Sequence, residues 1–163
     1  MTSMKRLQKE YKQYINDPNP FYSININETN ILHWEFAIFG PSDTIYEGGI
    51  FNGNIIFSKD YPINPPKVKF TSEILHPNIY KDGNVCISIL HEGVDQYNYE
   101  LESERWSPSH GVNSVMMSII SMLNNPNTES PANVDASKLF NENYEEYKKK
   151  VYFFNKSIPK AEK

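Results

Sequence analysis

The chain reads as α+β: a four-stranded antiparallel meander sheet with an N-terminal helix, a central helix and C-terminal helices. Three observations predict this. Apolar residues recur at helical spacing near both ends and once in the middle of the chain. Between the first two of those stretches lie four short runs with strand character. The links between the runs are brief, whereas parallel strands need crossovers of about a dozen residues or more. At 163 residues, the chain is expected to form one domain, 1–163, burying about two-thirds of its unfolded surface.

Thr2 or Ser3 caps a first helix in which Met4, Leu7, Tyr11 and Ile15 repeat every three to four residues. Lys5, Arg6, Lys9 and Lys12 occupy much of its remaining surface, and two prolines in Asp17-Pro18-Asn19-Pro20 end it. Strands are expected over Phe21 to Ile26, Ile31 to Phe39, Gly49 to Phe57 and Lys67 to Thr71. In the second, Leu32, Trp34, Phe36 and Ile38 make one apolar face. Gly40-Pro41-Ser42-Asp43 and Glu47-Gly48-Gly49 are turns. Tyr61-Pro62-Ile63-Asn64-Pro65-Pro66 is a rigid extended link in which Tyr61-Pro62 is a candidate for a cis bond. Val112, Val115, Met116, Ile119, Ile120 and Leu123 form the stripe of the central helix, which Asn124-Asn125-Pro126-Asn127 ends. A last helical stretch, capped near Asp135, carries Leu139, Phe140, Tyr144, Tyr147 and Val151.

Charge and composition exclude several classes. A net charge of −4 argues against a broad nucleic-acid-binding surface. No apolar run approaches the roughly 18 residues of a membrane span, and the N-terminus lacks a signal-peptide core, so the cytosol or nucleus is the expected compartment. One cysteine excludes an intramolecular disulfide. Four histidines and that cysteine lack zinc spacing, so no metal site is expected. Gly48-Gly49 does not make a phosphate loop.

The chemistry concentrates in Leu75 to Ile89, LHPNIYKDGNVCISI. Cys86 is the only cysteine, and His76-Pro77-Asn78 ends eight residues before it. Lys81-Asp82-Gly83-Asn84 is a turn signal in which Gly83 can take positive φ. A reversal there brings Asn78 back beside Cys86, setting a thiol next to an uncharged amide donor. That pairing suits acyl chemistry on sulfur: a nucleophile and a group to steady an oxyanion. A Cys-His protease pair of Cys86 with His91, His76 or His110 is the weaker reading, since it needs an orienting third group and a peptide groove. Residues His91 to Arg105 carry five acids (Glu92, Asp95, Glu100, Glu102, Glu104) without hydrophobic periodicity, and a loop this long beside a reactive residue suggests function.

His76-Pro77-Asn78, Gly83 to Leu90 and Trp106-Ser107-Pro108 together resemble the core of the ubiquitin-conjugating enzymes, from about Met4 to about Val151. The resemblance implies that family's fold and a two-step acyl carrier. Cys86 would take ubiquitin from the activating enzyme as a thioester and pass it, with a ligase, to a lysine of a protein substrate. No bound cofactor is implied, because ATP is consumed upstream by the activating enzyme. Asn78 would steady the oxyanion or hold its loop, while His76 and Pro77 shape the site. Lys5, Arg6 and Lys9 become candidates for docking the activating enzyme and ligase, and Ile63, Ser107 and Pro108 for the ligase-binding edge.

The insertion resembles that of the G-type subfamily, which includes members serving endoplasmic-reticulum-associated degradation. That likeness implies recruitment to the reticulum surface by a partner, without direct membrane insertion. Many family members carry carboxylates where this chain has Ser88 and Ser130. Activation of the acceptor lysine, of which only about a thousandth is neutral at physiological pH, is therefore assigned to Asp95, Glu100, Glu102 and Glu104, with His91 as a lesser candidate base. The alternatives are a carrier of another ubiquitin-like modifier and a non-catalytic ubiquitin-binding module; the intact Cys86 and triplet argue against the second.

Overall fold

The computed structural model describes residues 2–156 apart from Val94, Asn98 and Tyr99; residues 157–163 of the expected domain lie outside the described residues. The elements run α1 (Ser3–Asn16), β1 (Tyr22–Asn27), β2 (Asn30–Phe39), β3 (Ile50–Ile56), β4 (Lys67–Phe70), α2 (Val112–Asn124), α3 (Val134–Glu142) and α4 (Tyr144–Lys156). The four strands pair antiparallel in sequence order, as the short turns require.

Alternation decides which face of the sheet is covered. Trp34, Phe36 and Ile38 of β2 point inward, and pairing sets them beside Ile55, Gly53 and Phe51 of β3. Tyr22 and Ile24 of β1 and Val68 and Phe70 of β4 complete that face. All six expected stripe residues of α2 are buried against it, each contributing about 1.5–3 kcal/mol of apolar transfer. Trp34 meets Phe57 edge-on at 5.1 Å, and its indole N–H donates to the Ile31 carbonyl at 2.8 Å. The Tyr61-Pro62 bond is cis.

Two expectations are corrected. In α1 the stripe is narrower than the spacing suggests: Leu7 is buried and Tyr11 and Tyr14 half-buried, but Met4 and Ile15 are each 54% exposed. The helix meets the sheet at β2, where the Tyr11 ring packs on Trp34 at 5.8 Å, so only one narrow line of positions finds a partner. The last helical stretch is two helices. Asn133, not Asp135, caps α3 through the Ala136 N–H at 3.0 Å. Asn143 then leaves helical geometry (φ −148°) and its side chain accepts from the Glu146 N–H at 3.2 Å, starting α4 in a new direction. Tyr147 of α4 is buried against Tyr46, hydroxyl to hydroxyl at 2.9 Å, and Tyr46 donates to the Leu75 carbonyl at 2.7 Å.

One carboxylate joins three elements. Glu10 of α1 accepts the Tyr61 hydroxyl at 2.5 Å and the Val112 N–H at 2.7 Å, and pairs with Arg6 at 3.1 Å. It thereby supplies an anionic cap to the N-terminus of α2, where the helix dipole favours negative charge. Gly111 leaves room for it, since a Cβ there would lie 2.3 Å from its oxygen. Replacing Glu10 by leucine leaves the Tyr61 hydroxyl and the Val112 N–H without their acceptor. Urea denaturation of Glu10→Leu should register a loss of about 3 kcal/mol; a loss below about 0.5 kcal/mol would mean that the carboxylate is not the joint described.

Candidate active site

The stretch between β4 and α2 folds back on itself as the turn signal predicts. Gly83 takes φ +98°, and a Cβ there would sit 2.1 Å from the Phe70 carbonyl oxygen. Asp82 accepts from the Asn84 N–H at 3.0 Å and side-chain amide at 2.8 Å, and these bonds hold its carboxyl below the usual range. Beyond the turn the Cys86 N–H donates to the Asn78 carbonyl at 2.9 Å, so the thiol and the triplet are neighbours.

The triplet is bonded to the end of α2 and to the loop that follows it. His76 is fully buried. Its Nδ1 accepts from the Asn78 N–H at 3.0 Å, and its Nε2 therefore carries the hydrogen donated to the Met122 carbonyl at 2.8 Å. Burial pushes its pKa down to about 4, partly offset by that carbonyl, so the ring is neutral and orients the loop. Pro77 is buried, and its carbonyl accepts from Ala132 N and Asn133 N, both at 2.9 Å. The Asn78 carboxamide bonds in both directions to the backbone of Asn127: Nδ2 donates to the carbonyl at 2.8 Å and Oδ1 accepts the N–H at 2.8 Å. Of its two candidate roles this geometry serves the holding of the loop, with one amide hydrogen left over.

Cys86 is half-buried, and its Sγ lies 3.7 Å from His91 Nε2. His91 Nδ1 meets the Glu100 carboxylate at 2.9 Å, and Glu100 in turn pairs with Arg105. Contact with the sulfur is the largest influence on His91 and raises its pKa; partial burial opposes, and the Glu100 bond and charge add to the rise, to about 9. Burial pushes the Glu100 carboxyl up, but bonds from Ser88 and His91 and the charges of His91 and Arg105 outweigh it and leave it lowered. Tyr80, exposed beside the site, is pushed up chiefly by the Cys86 charge.

These facts revise the expected acceptor-activating set. Contact with the free sulfur and with Glu100 favours the protonated His91 ring, which disfavours it as the base before loading. Asp95 is a loop brace, accepting from Tyr97 N at 3.0 Å and Glu100 N at 2.7 Å. Glu100 is committed to His91 and Arg105. Of the four carboxylates in that set, Glu102 and Glu104, in a short 3₁₀ turn, are the exposed ones. Ser130 is exposed on the loop before α3.

The expected docking residues converge at one edge, with one exception. Trp106 donates its indole N–H to the Pro62 carbonyl at 3.0 Å and its backbone N–H to the His91 carbonyl at 2.9 Å. This leaves Ile63 72% exposed near Ser107, which is half-buried, and the exposed Pro108. Lys5 and Lys9 are exposed on α1. Arg6 is structural: besides Glu10, it donates to the His110 carbonyl at 2.7 Å and lies over the Tyr61 ring at 5.8 Å.

Sequence reasoning overlooked Arg105, Tyr80 and the Asn127 backbone. Arg105 had a signal, being the one arginine or lysine among the acids of the insertion. Among the described residues no three His, Cys, Asp or Glu side chains are grouped to hold a metal ion.

The family described as ubiquitin-conjugating enzyme matches residues 6–154 of this chain. The chain is 52% identical over 147 residues to ubiquitin-conjugating enzyme E2 14 of Arabidopsis thaliana, covering 89% of this chain and 88% of that protein. It is 49% identical over 151 residues to ubiquitin-conjugating enzyme E2 15 of Schizosaccharomyces pombe, covering 91% and 90%. It is also 49% identical over 150 residues to ubiquitin-conjugating enzyme E2 G2 of Homo sapiens, covering 91% of each chain.

The two histidines bracket a pH window of stability. His91, raised in the fold, stabilises fully below its unfolded value near 6.5, and that contribution is lost as pH rises through about 9. His76, lowered in the fold, favours the unfolded chain increasingly as pH falls from about 6.5 towards about 4. Nitrogen-resolved NMR of the imidazoles should give midpoints near those two values, and Cys86→Ala should bring His91 down. A His91 midpoint near 6.5 in the unmodified protein would contradict the assignment.

Proposed function

The chain belongs to the ubiquitin-conjugating enzymes, and from that premise we propose how its own residues carry the transfer. The family's thioester forms on cysteine, and Cys86 is the only cysteine present. Its thiolate attacks the thioester joining ubiquitin to the activating enzyme. The tetrahedral adduct collapses by expelling the activating enzyme's thiolate, leaving the ubiquitin C-terminal acyl group on Sγ. An uncharged substrate lysine then attacks that carbonyl; the new C–N bond forms, the C–S bond breaks, Cys86 recovers its electron pair, and the proton lost from the nitrogen passes to solvent or to the departing sulfur. Thioesters react readily with amines, so orientation and charge placement carry the catalysis.

The observation that carries this reading is the Sγ to His91 Nε2 separation of 3.7 Å at a half-buried thiol whose backbone is fixed to the triplet. On the loaded enzyme the acylated sulfur no longer raises His91, and Glu100 is what favours the protonated ring that donates to the sulfur as negative charge returns to it. The spare Asn78 amide hydrogen is assigned to the oxyanion. Glu102 and Glu104 draw and hold the acceptor ammonium, replacing the carboxylates that Ser88 and Ser130 lack. Lys5 and Lys9 are assigned to the activating enzyme, and Ile63, Ser107 and Pro108 to the ligase. The whole chain acts as one catalytic domain without a bound cofactor.

Recruitment to the endoplasmic-reticulum surface, which the G-type insertion suggests, would run through a partner. No helix among the described residues is long and apolar enough to cross a membrane.

A non-reducing gel tests the reading. Mixed with activating enzyme, ATP and ubiquitin, the protein should form a thiol-sensitive adduct. Cys86→Ala should abolish it and Cys86→Ser should give a slower, reductant-resistant oxyester. Preloaded protein with Glu102→Gln and Glu104→Gln should release ubiquitin to lysine several-fold more slowly while loading normally. Absence of any adduct with ubiquitin would overturn the reading.

A further inference from the structure

Arg105 is the most heavily engaged side chain of the insertion. Its Nη2 donates to the Glu92 carbonyl at 2.7 Å and its Nε to the Gly93 carbonyl at 3.1 Å, while Nη1 bonds Glu100 Oε1. One planar fork thus closes both ends of the excursion, as a guanidinium can and an ammonium cannot. Its side chain is only 11% exposed and that of Glu100 18%. The next residue, Trp106, is bonded to the carbonyls of His91 and Pro62. Arg105 therefore stands between the edge bearing Ile63 and Pro108 and the group facing the reactive sulfur.

We propose that Arg105 is a positioning residue for ubiquitin transfer: it fixes Glu100 so that Glu100 holds His91 Nε2 against the Cys86 sulfur. Because Nδ1 is tied to the carboxylate, the ring can rotate away from Sγ only by breaking that bond, and the carboxylate can swing only by breaking the Arg105 fork. The insertion is thus a braced arm, with its negative charges split between two jobs. Glu100 is internal and neutralised by two cations, whereas Glu102 and Glu104 are external. The arm matters when the C–S bond breaks and the sulfur regains its charge. Loading is less sensitive, because there the contact favours formation of the thiolate but lowers its nucleophilicity, and the two effects offset. The proposal rests on the carrier chemistry of Cys86, which loading reports separately.

The groups facing His91 are Cys86, Glu100 and, through Glu100, Arg105 and Ser88. Two roles for Arg105 move His91 in opposite directions. If the arginine merely neutralises Glu100, its removal strengthens the pull of the carboxylate and the His91 midpoint rises. If it positions Glu100, its removal loosens the pair and the midpoint falls.

The experiment uses the full chain with Arg105→Gln, Arg105→Lys and Glu100→Gln. Each should load ubiquitin from the activating enzyme within about twofold of the unmodified protein, which also shows that it is folded. Discharge of the preloaded thioester to free lysine should fall about tenfold in kcat, with little change in the lysine concentration at half-maximal rate. The NMR midpoint of His91 should drop by about one pH unit or more in all three. Lysine at 105 keeps the charge without the fork and should not rescue. Arg105→Gln combined with Glu100→Gln should be no worse than either alone. An unchanged or raised His91 midpoint, rescue by lysine, or a fall in loading equal to that in discharge would each overturn the proposal.

Discussion

A carboxamide bonded in both directions underlies the geometry of the site. Asn78 and the backbone of Asn127 exchange two hydrogen bonds of 2.8 Å, and the neighbouring Pro77 carbonyl accepts two more from the start of α3. Four bonds thus join the loop before Cys86 to the loop after α2, across a sequence separation that neither loop could span by itself. His76 adds a bond to the last turn of α2, from inside the core, where leaving a polar atom unpaired is costly. The thiol consequently sits on a rigid backbone, although the segment around it has almost no regular secondary structure. Precise positioning in such a segment requires side chains that satisfy backbone groups, and this triplet has two, His76 and Asn78.

The second layer of organisation is electrostatic. On one side of the sulfur the groups are neutral and buried, as His76 illustrates. On the other they alternate in sign: imidazolium, carboxylate, guanidinium. The arrangement resembles the orienting third group that a cysteine hydrolase needs, with the charge on the imidazole reversed in emphasis. A ring whose protonated form the free sulfur and Glu100 favour serves the charged sulfur better than it serves as a base. Under the proposed function, holding of the acceptor amine is assigned to the exposed Glu102 and Glu104.

Much of the fold was legible because periodicity is a local property. The α2 stripe, the alternation in β2 and the antiparallel order follow from spacing and turn length alone. The exposed Met4 and Ile15 and the break at Asn143 were not legible, because both depend on which partner surface a helix finds. In the site, the approach of Asn78 to Cys86 could be read from the Asp82-Gly83 turn. The Glu100–His91 pair could not, since it joins the ends of a loop without periodicity, and the acids of that loop look equivalent in sequence. Arg6 shows the same limit: on a helix of exposed lysines it reads as another docking charge, yet Glu10, four residues on, draws it into a structural network. Sequence gives the residue types available to a site, while long-range pairing divides the labour among them.

The claim that orientation by Asn78 governs transfer is tested most directly by single-turnover kinetics on Asn78→Ala. The variant should load ubiquitin within about twofold of the unmodified protein and release it to free lysine at least about tenfold more slowly. Asn127→Ala, which leaves the backbone atoms in place, should change neither step. Equal loss in loading and discharge, or an Asn78→Ala variant that discharges at the normal rate, would contradict the account.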